Sequence, residues 1–411
     1  MCTRDAGSPG MPCPPGLAYV FERFPSFTQT FCAREVAAMR QRGFDGPVFS
    51  IRSTKDEPVC QNFEDTGEIV ALPATFDEIL AKDRGFRHDA RKWQDRLRKR
   101  WGGEQEKRRI YESLWLRRAC ESRRIRHIHT HFAGLAARTA YWLREMGGPT
   151  FSVTAHANDI FRDEPPERLA TVLGAASRVV TVSDFSAAFL AEHYPALKSK
   201  IRRVYNGIDP SHFPQSEFPD GTPKIVAVGR SIEKKGFDVL IDACALLGDR
   251  DFECVIVGGG PLDESLRRQV DALGLGGRVR VAGPHSESEI AELLRQARLF
   301  ALPCARGTDG ALDNLPTVIM EAMAAGLPVI STPLAGIPEM VADGRTGFLV
   351  PERNPRALAE AITRLFDEPA LARTMGAAGR ALCLERFALT RTSPDLIRIF
   401  CEVLTGTPNK S

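Results

Sequence analysis

Asp313 and Glu321 stand eight residues apart in the segment Asp313-Asn-Leu-Pro-Thr-Val-Ile-Met-Glu321. Pro316 suits the first position of a helix, because its missing N–H is one that a helix start leaves unpaired anyway. Asp313 then falls on the loop above the helix mouth. Glu321 falls about five residues in, ~7.5 Å along the axis at 1.5 Å per residue. One acid can address a sugar at the mouth while the other reaches a more distant ribose. The unpaired N–H groups of the first turn point toward anionic phosphate. Taken alone, the spacing fits a solvated loop Asp and a surface Glu equally well.

Upstream, Val228-Gly-Arg230-Ser-Ile-Glu-Lys-Lys235-Gly236 links an apolar run to a helical pattern. Arg230 and Lys235 are therefore expected at the carboxyl end of a strand. A guanidinium fork and an ammonium point charge suit a diphosphate, and solvated loop charges are the alternative. Val257-Gly-Gly-Gly260-Pro261 ends the next apolar run. Its glycines let backbone approach a ligand, with plain turn chemistry as the alternative, and the third glycine of a G-x-G-x-x-G fingerprint is missing. His156, in Thr154-Ala-His156-Ala-Asn-Asp159, follows another apolar run, where a ring can act as a hydrogen-bond partner. His127, His129 and His131 alternate and share one strand face, but no carboxylate or cysteine joins them at metal-ligand spacing.

Positioning these groups requires strands alternating with helices. In the second half, candidate strands 224–228, 252–257, 279–282, 299–302 and 329–331 alternate with helical patterns at 237–247, 262–273, 286–297 and 317–325. Ser286 and Glu289 stand in capping-box spacing. In the first half, candidate strands are 17–21, 47–51, 125–130, 150–154, 178–182 and 201–204, with helices at 31–42, 132–146 and 185–193. Fully apolar strands between helices imply parallel sheets covered on both faces. The class is α/β, with two Rossmann-like domains. Ligands in such folds bind at the carboxyl ends of strands, so the cleft between the domains is the expected site. Expected bounds are a flexible tail at 1–16, a first domain at 17–205, a second at 206–385, and a C-terminal helix at 386–411 that returns to the first domain.

Composition fits this size and class. The 411 residues are 43% hydrophobic and 26% charged, which excludes wholesale disorder, and the formal charge is only +3. No apolar run reaches the ~18 to 20 residues of a membrane span, and the Pro/Gly-rich start does not read as a secretory signal. The ten cysteines lack Cys-x-x-Cys pairs, so they read as reduced thiols in a cytoplasmic core. Charge is segregated: residues 82–126 carry 17 Lys and Arg against 7 Asp and Glu, with three of the four tryptophans, Trp93, Trp101 and Trp115. That mixture suits docking on an anionic membrane, against a solvated helical face or, with no supporting motif, a nucleic-acid patch.

These segments together resemble the retaining glycosyltransferases of family 4, which have the two-domain GT-B fold, and in particular bacterial exopolysaccharide and colanic-acid-type enzymes. The resemblance is carried by Asp313…Glu321 at the family's E-x7-E motif, Gly-Arg230…Lys235-Gly, Gly258 to Pro261, Asn206-Gly-Ile-Asp209, Ser183-Asp-Phe-Ser, Thr154-Ala-His156 and Phe24-Pro-Ser-Phe-Thr-Gln-Thr-Phe31. It spans about residues 17–387. It implies a nucleotide-sugar donor (UDP-, GDP- or ADP-linked) and a glycan acceptor, lipid-linked at the inner face of the membrane. It also implies transfer without a metal or other cofactor.

The resemblance assigns Arg230 and Lys235 to the donor diphosphate, with Gly259 near the nucleotide, and Glu321 to the ribose. Asp313 and the N–H groups of Asn314, Leu315 and Thr317 would hold the donor sugar. His156 would lie near the anomeric centre and an outer hydroxyl. The catalytic set it implies is thus His156, Asp313, Arg230 and Lys235. Three departures bear on donor choice: Asp313 stands where Glu is commoner, Asn314 replaces a frequent Gly, and Thr28 and Gln29 replace Ser and Glu. A sugar-nucleotide 2-epimerase, which shares the fold, or a non-enzymatic nucleotide-sugar sensor are the competing readings.

Overall fold

The computed structural model describes residues 12–26, 29–55, 66–101 and 106–406. The chain forms two compact units. The first comprises the chain up to Val182, Phe189–Val204 and the segment from Thr392 on; the second comprises Ser183–Ala188 and Tyr205–Arg391. The expected boundary at 205/206 thus overlooks a six-residue segment, Ser183–Ala188, that groups with the second unit.

The first unit holds seven parallel strands: β1 (Leu17–Arg23), β2 (Val48–Arg52), β3 (Ile69–Ala71), β4 (His127–His131), β5 (Thr150–Ala155), β6 (Arg178–Thr181) and β7 (Ile201–Arg203). Their spatial order is 3-2-1-4-5-6-7. Alternation along β1 explains how both faces are covered. Ala18 and Val20 join the core beneath the helices Arg84–Trp101, Lys107–Ser122 and Leu135–Glu145, whereas Leu17, Tyr19 and Phe21 face the helix Thr30–Arg40. That second face is completed by the last helix, Leu389–Thr405, through Leu396, Ile397, Ile399 and Phe400. The Phe400 ring stands 5.0 Å from His129 and edge-on to Tyr19 at 6.2 Å.

The second unit holds six parallel strands: β8 (Lys224–Val228), β9 (Glu253–Val257), β10 (Val279–Gly283), β11 (Leu299–Ala301), β12 (Val329–Ser331) and β13 (Gly347–Leu349), in the order 10-9-8-11-12-13. Ser286 caps the helix Glu287–Arg295 in a complete capping box with Glu289.

Two expectations need correction. Residues 1–11 lie outside the described residues, but the tail does not run to 16. Cys13 is buried, and its N–H donates to the Arg42 carbonyl at 2.8 Å. The three tryptophans of the basic stretch pack toward the core: Trp93 is buried, and Trp101 and Trp115 are half-buried against it. Trp93 and Trp101 pack edge-on against Trp142, and Trp115 against Phe49. Apolar rings of that size gain more from the core than from a charged surface. The basic residues between them, Arg91, Lys92, Arg98 and Lys99, remain exposed. Among the described residues no helix is long and apolar enough to cross a membrane, and none of the described cysteines forms a disulfide.

Phe400 is fully buried where the last helix meets β1. Phe400→Ala is expected to destabilise the first unit by ~3 to 5 kcal/mol, the usual cost of an aromatic cavity. Urea unfolding followed by tryptophan fluorescence measures it, since all four tryptophans lie in that unit.

Candidate active site

In the second sheet the strand order reverses between β8 and β11, the place where open α/β sheets bind ligands beyond the strands' carboxyl ends. The segment after β8 forms the short 3-10 turn Glu233–Lys235, closed by Gly236 at φ 65°. A Cβ on Gly236 would stand 2.0 Å from the Pro303 carbonyl oxygen, so only glycine lets this turn lie against the loop after β11. The two segments are then bonded together. The Ala305 N–H donates to the Lys234 carbonyl at 3.1 Å. Thr308 donates through its N–H and its hydroxyl to the Glu233 carboxylate, at 2.9 and 2.8 Å.

This arrangement places Asp313 between two ammonium groups. Its Oδ1 lies 2.7 Å from Lys234 Nζ and its Oδ2 2.5 Å from Lys235 Nζ. Lys234 also donates to the Leu312 carbonyl at 3.2 Å. Asp313 is only 9% exposed. Burial alone would raise its carboxyl pKa, but the charges of Lys235 and Lys234 overrule it and hold the group well below the usual carboxylate range. Burial likewise works against the Lys235 charge, and the Asp313 carboxylate reverses the effect, raising the ammonium above its ordinary value. Cys304 lies 3.8 Å from Asp313 Oδ2, and burial first, then that carboxylate, push its thiol up, so it stays neutral.

Arg230 stands exposed directly beyond β8. The glycine turn after β9 presses against it: a Cβ on Gly258 (φ 141°) would lie 1.7 Å from the Gly229 carbonyl oxygen, and the Gly259 carbonyl accepts the Ser231 N–H at 3.1 Å. Arg230, Lys234 and Lys235 against one Asp313 leave an excess of two positive charges, which matches a diphosphate. Downstream, Asn314 and Leu315 are buried, Thr317 opens the helix Thr317–Ala324, and Glu321 is buried within it. Arg230, Lys235, Gly259, Asp313, Asn314, Leu315, Thr317 and Glu321 thus all lie in the segments that follow β8, β9 and β11.

Three details differ from expectation. Pro316 stands one place before the helix, with an extended ψ of 112°, so the helix begins at Thr317. The Asn314 side chain is committed to serines: its Oδ1 accepts from Ser183 at 2.8 Å and its Nδ2 donates to Ser186 at 3.2 Å. Lys234 was not among the residues singled out by spacing, because adjacent lysines on a strand or helix would diverge. Both ammonium groups nevertheless reach one carboxylate, at the ends of long side chains.

His156, in the first unit, follows β5 and is buried. Its ring lies 4.4 Å from Phe132 and 4.9 Å from Phe31. The Asp159 carboxylate accepts the N–H groups of His156, Ala157 and Ala133, which fixes the turn. Contrary to the reading of an isolated histidine row, a carboxylate does approach it. Glu35, from the helix Thr30–Arg40, comes together with His129 and His131 closely enough to hold a cation. The ring nitrogens are already engaged, however. His129 meets the Ser152 and Thr154 hydroxyls at 2.7 and 2.9 Å, and His131 meets His156 and Glu35 at 3.0 Å each. In this structure the group is tied into a hydrogen-bond network.

Residues 209–382 match the family of glycosyl transferases group 1, and residues 69–212 match Glycosyltransferase Family 4. A protein of Escherichia coli K12 named as colanic acid biosynthesis glycosyltransferase WcaL is 30% identical over 370 residues, 84% of this chain and 89% of its own. The amylovoran biosynthesis glycosyltransferase AmsK of Erwinia amylovora is 32% identical over 248 residues, covering 58% and 60% of the two chains. Among solved structures, Anabaena HepE in complex with UDP superposes with a TM-score of 0.73 over 95% of this chain and 100% of that one, at 16% identity. The chain belongs to the family-4 glycosyltransferases, of the exopolysaccharide type, and its two Rossmann-like domains are those of the GT-B fold.

The Asp313 pairing makes a pH-dependent prediction. A group whose folded pKa is depressed contributes stability that is full above its unfolded value and is lost as pH falls through the folded value. Asp313→Asn leaves two buried lysines facing each other and should cost ~3 to 5 kcal/mol at neutral pH. In urea titrations the gap from wild type should be widest above ~pH 4, the unfolded carboxylate range, and shrink at lower pH.

Proposed function

We propose that the protein is a retaining, metal-independent transferase that moves a sugar from a nucleotide-sugar to a growing glycan during surface-polysaccharide synthesis. The observation that carries this reading is the excess of positive charge around Asp313 at the β8/β11 switch point. In this reading Arg230 and Lys235 hold the diphosphate, and Lys234 keeps Asp313 in place. Each ammonium has three donors, so Lys235 can serve carboxylate and phosphate together. Asp313 and the N–H groups of Asn314, Leu315 and Thr317 take hydroxyls of the transferred sugar, and Glu321 takes the ribose. His156 supports an outer sugar hydroxyl. Fixed cations at the departing diphosphate lower the barrier electrostatically, because they need no reorganisation as charge develops. Retention follows from front-face attack, with a donor phosphate oxygen assisting deprotonation of the acceptor. HepE, solved with UDP, lends support to a nucleoside-diphosphate donor.

Incubation with UDP-, GDP- and ADP-sugars and glycan acceptors in the presence of a strong chelator should release nucleoside diphosphate and give a product of unchanged anomeric configuration. Arg230→Ala should weaken nucleoside-diphosphate binding by ~1.5 to 3 kcal/mol, roughly ten- to a hundredfold, in isothermal titration. Turnover abolished by chelation and restored by magnesium or manganese contradicts the metal-free mechanism. A product isomeric with the donor, with no acceptor adduct, favours the 2-epimerase.

The acceptor, in this reading, is lipid-linked and met at the inner face of the membrane. What supports it is the exposed basic face of the helix Arg84–Trp101, including Arg91, Lys92, Arg98 and Lys99. With Trp93 buried and Trp101 and Trp115 half-buried, the attraction is mainly electrostatic, ~1 kcal/mol per basic residue close to the surface. Vesicle co-sedimentation should therefore show binding to anionic but not neutral lipid, lost in ~1 M salt, where the Debye length is ~3 Å. Equal binding to both lipids, or to neither, points to a soluble acceptor.

A further inference from the structure

The motif Ser183-Asp-Phe-Ser186 supplies no group to the donor site, yet its two hydroxyls reach the loop that carries Asp313. Residues 313–316 form neither helix nor strand, so side chains must fix their path. Asn314 follows Asp313 directly and is 2% exposed, and Ser183 and Ser186 are fully buried. The Asn314 Oδ1 accepts from the Ser183 hydroxyl at 2.8 Å, and its Nδ2 donates to Ser186 Oγ at 3.2 Å. The two hydroxyl oxygens stand 2.7 Å apart. The three side chains thus close a ring of hydrogen bonds. Turning the amide over reverses the direction of the ring without opening it, because a serine hydroxyl both donates and accepts.

The ring is held from its other sides as well. The Ser186 N–H donates to Ser183 Oγ at 3.0 Å. The Glu339 carboxylate accepts the N–H groups of Asp184 and Phe185, at 2.8 and 2.9 Å, and the Tyr205 hydroxyl at 3.0 Å. Gly336 stands just before the 3-10 turn Ile337–Glu339. An added Cβ there would lie 2.9 Å from both the Asn314 carbonyl oxygen and Ser183 Cβ, so glycine is what lets this turn close over Asn314. All of these groups belong to the second unit. Asp313 itself is anchored separately, by Lys234 and Lys235. The family's frequent Gly at position 314 would offer the serines nothing to hold.

We propose that Ser183 and Ser186 are positioning residues for the transferred sugar: through Asn314 they hold the N–H groups of Asn314 and Leu315 in the geometry that takes its hydroxyls. A loop fixed before the ligand arrives loses less freedom on binding, which raises affinity. The effect falls on the sugar and not on the diphosphate, whose partners Arg230 and Lys235 lie outside the ring. The role in sugar binding rests on the function given to these N–H groups above; the ring itself does not.

Nitrogen-15 relaxation of the full-length, ligand-free protein tests the ring. The Asn314 and Leu315 amides should have order parameters of about 0.85 in the wild type, falling below about 0.6 in Ser183→Ala and in Ser186→Ala. Isothermal titration with UDP-glucose, GDP-mannose and ADP-glucose, and with UDP, GDP and ADP, tests the role. For the nucleotide-sugar that binds tightest, each serine variant should weaken binding about tenfold, the scale of one lost hydrogen bond, and leave the affinity for the matching nucleoside diphosphate unchanged. Asn314→Gly should show the same split, and adding Ser183→Ala to it should cost nothing further. Equal losses for nucleotide-sugar and nucleoside diphosphate, no loss for either, or an additive double variant overturns the positioning role. Unchanged order parameters in the serine variants overturn the ring, whatever binds. A wild type that binds no nucleoside diphosphate overturns the proposed function and the sugar role with it, and the relaxation data then judge the ring alone.

Discussion

Asp313, buried between Lys234 and Lys235, is the interaction that holds together the segments at the second unit's switch point. Burying a carboxylate costs several kcal/mol unless charge is returned to it, and two ammonium groups at 2.7 and 2.5 Å return it. In doing so they tie the turn after β8 to the loop after β11, the two segments that flank the reversal in strand order. The result is a rigid floor with surplus positive charge. In the proposed function that floor faces the leaving diphosphate, where charge placed in advance stabilises a leaving group without reorganisation.

The first unit follows a different principle. The three histidines of β4 lie within the sheet, and their donors and acceptors are matched to serine and threonine hydroxyls on β5 or to His156. Only Glu35 introduces charge, at the end of the chain of contacts that leads through His131 to His156. The last helix closes the same sheet face, because Phe400 packs beside His129.

Much of this was legible in the residues. Apolar runs marked β8 and β12 at their observed bounds, and the motif residues after β8, β9 and β11 fell where the strand ends require. The edge strands β3 and β13 were not legible. Each is only three residues long, and Ile69–Ala71 is largely exposed, so their short apolar runs do not stand out as strands. Lys234 was hidden by its neighbour, since consecutive side chains diverge in any regular turn and nothing in the spacing shows that both reach Asp313. Glu35 was hidden because it sits on an ordinary helix 96 residues from the His131 it meets. The tryptophans of the basic stretch misled for a related reason: composition reports that aromatic and basic residues mix, while the helix face that each occupies is decided by packing.

The central claim is that the lysine-bound Asp313 marks the donor site. A structure of the protein with an intact nucleotide-sugar tests it most directly. The account places the diphosphate oxygens against Arg230 and Lys235, with Lys234 still on Asp313 and a sugar hydroxyl on the same carboxylate. A diphosphate bound away from the segments after β8 and β11, with the Lys234–Asp313–Lys235 contact undisturbed, would contradict it.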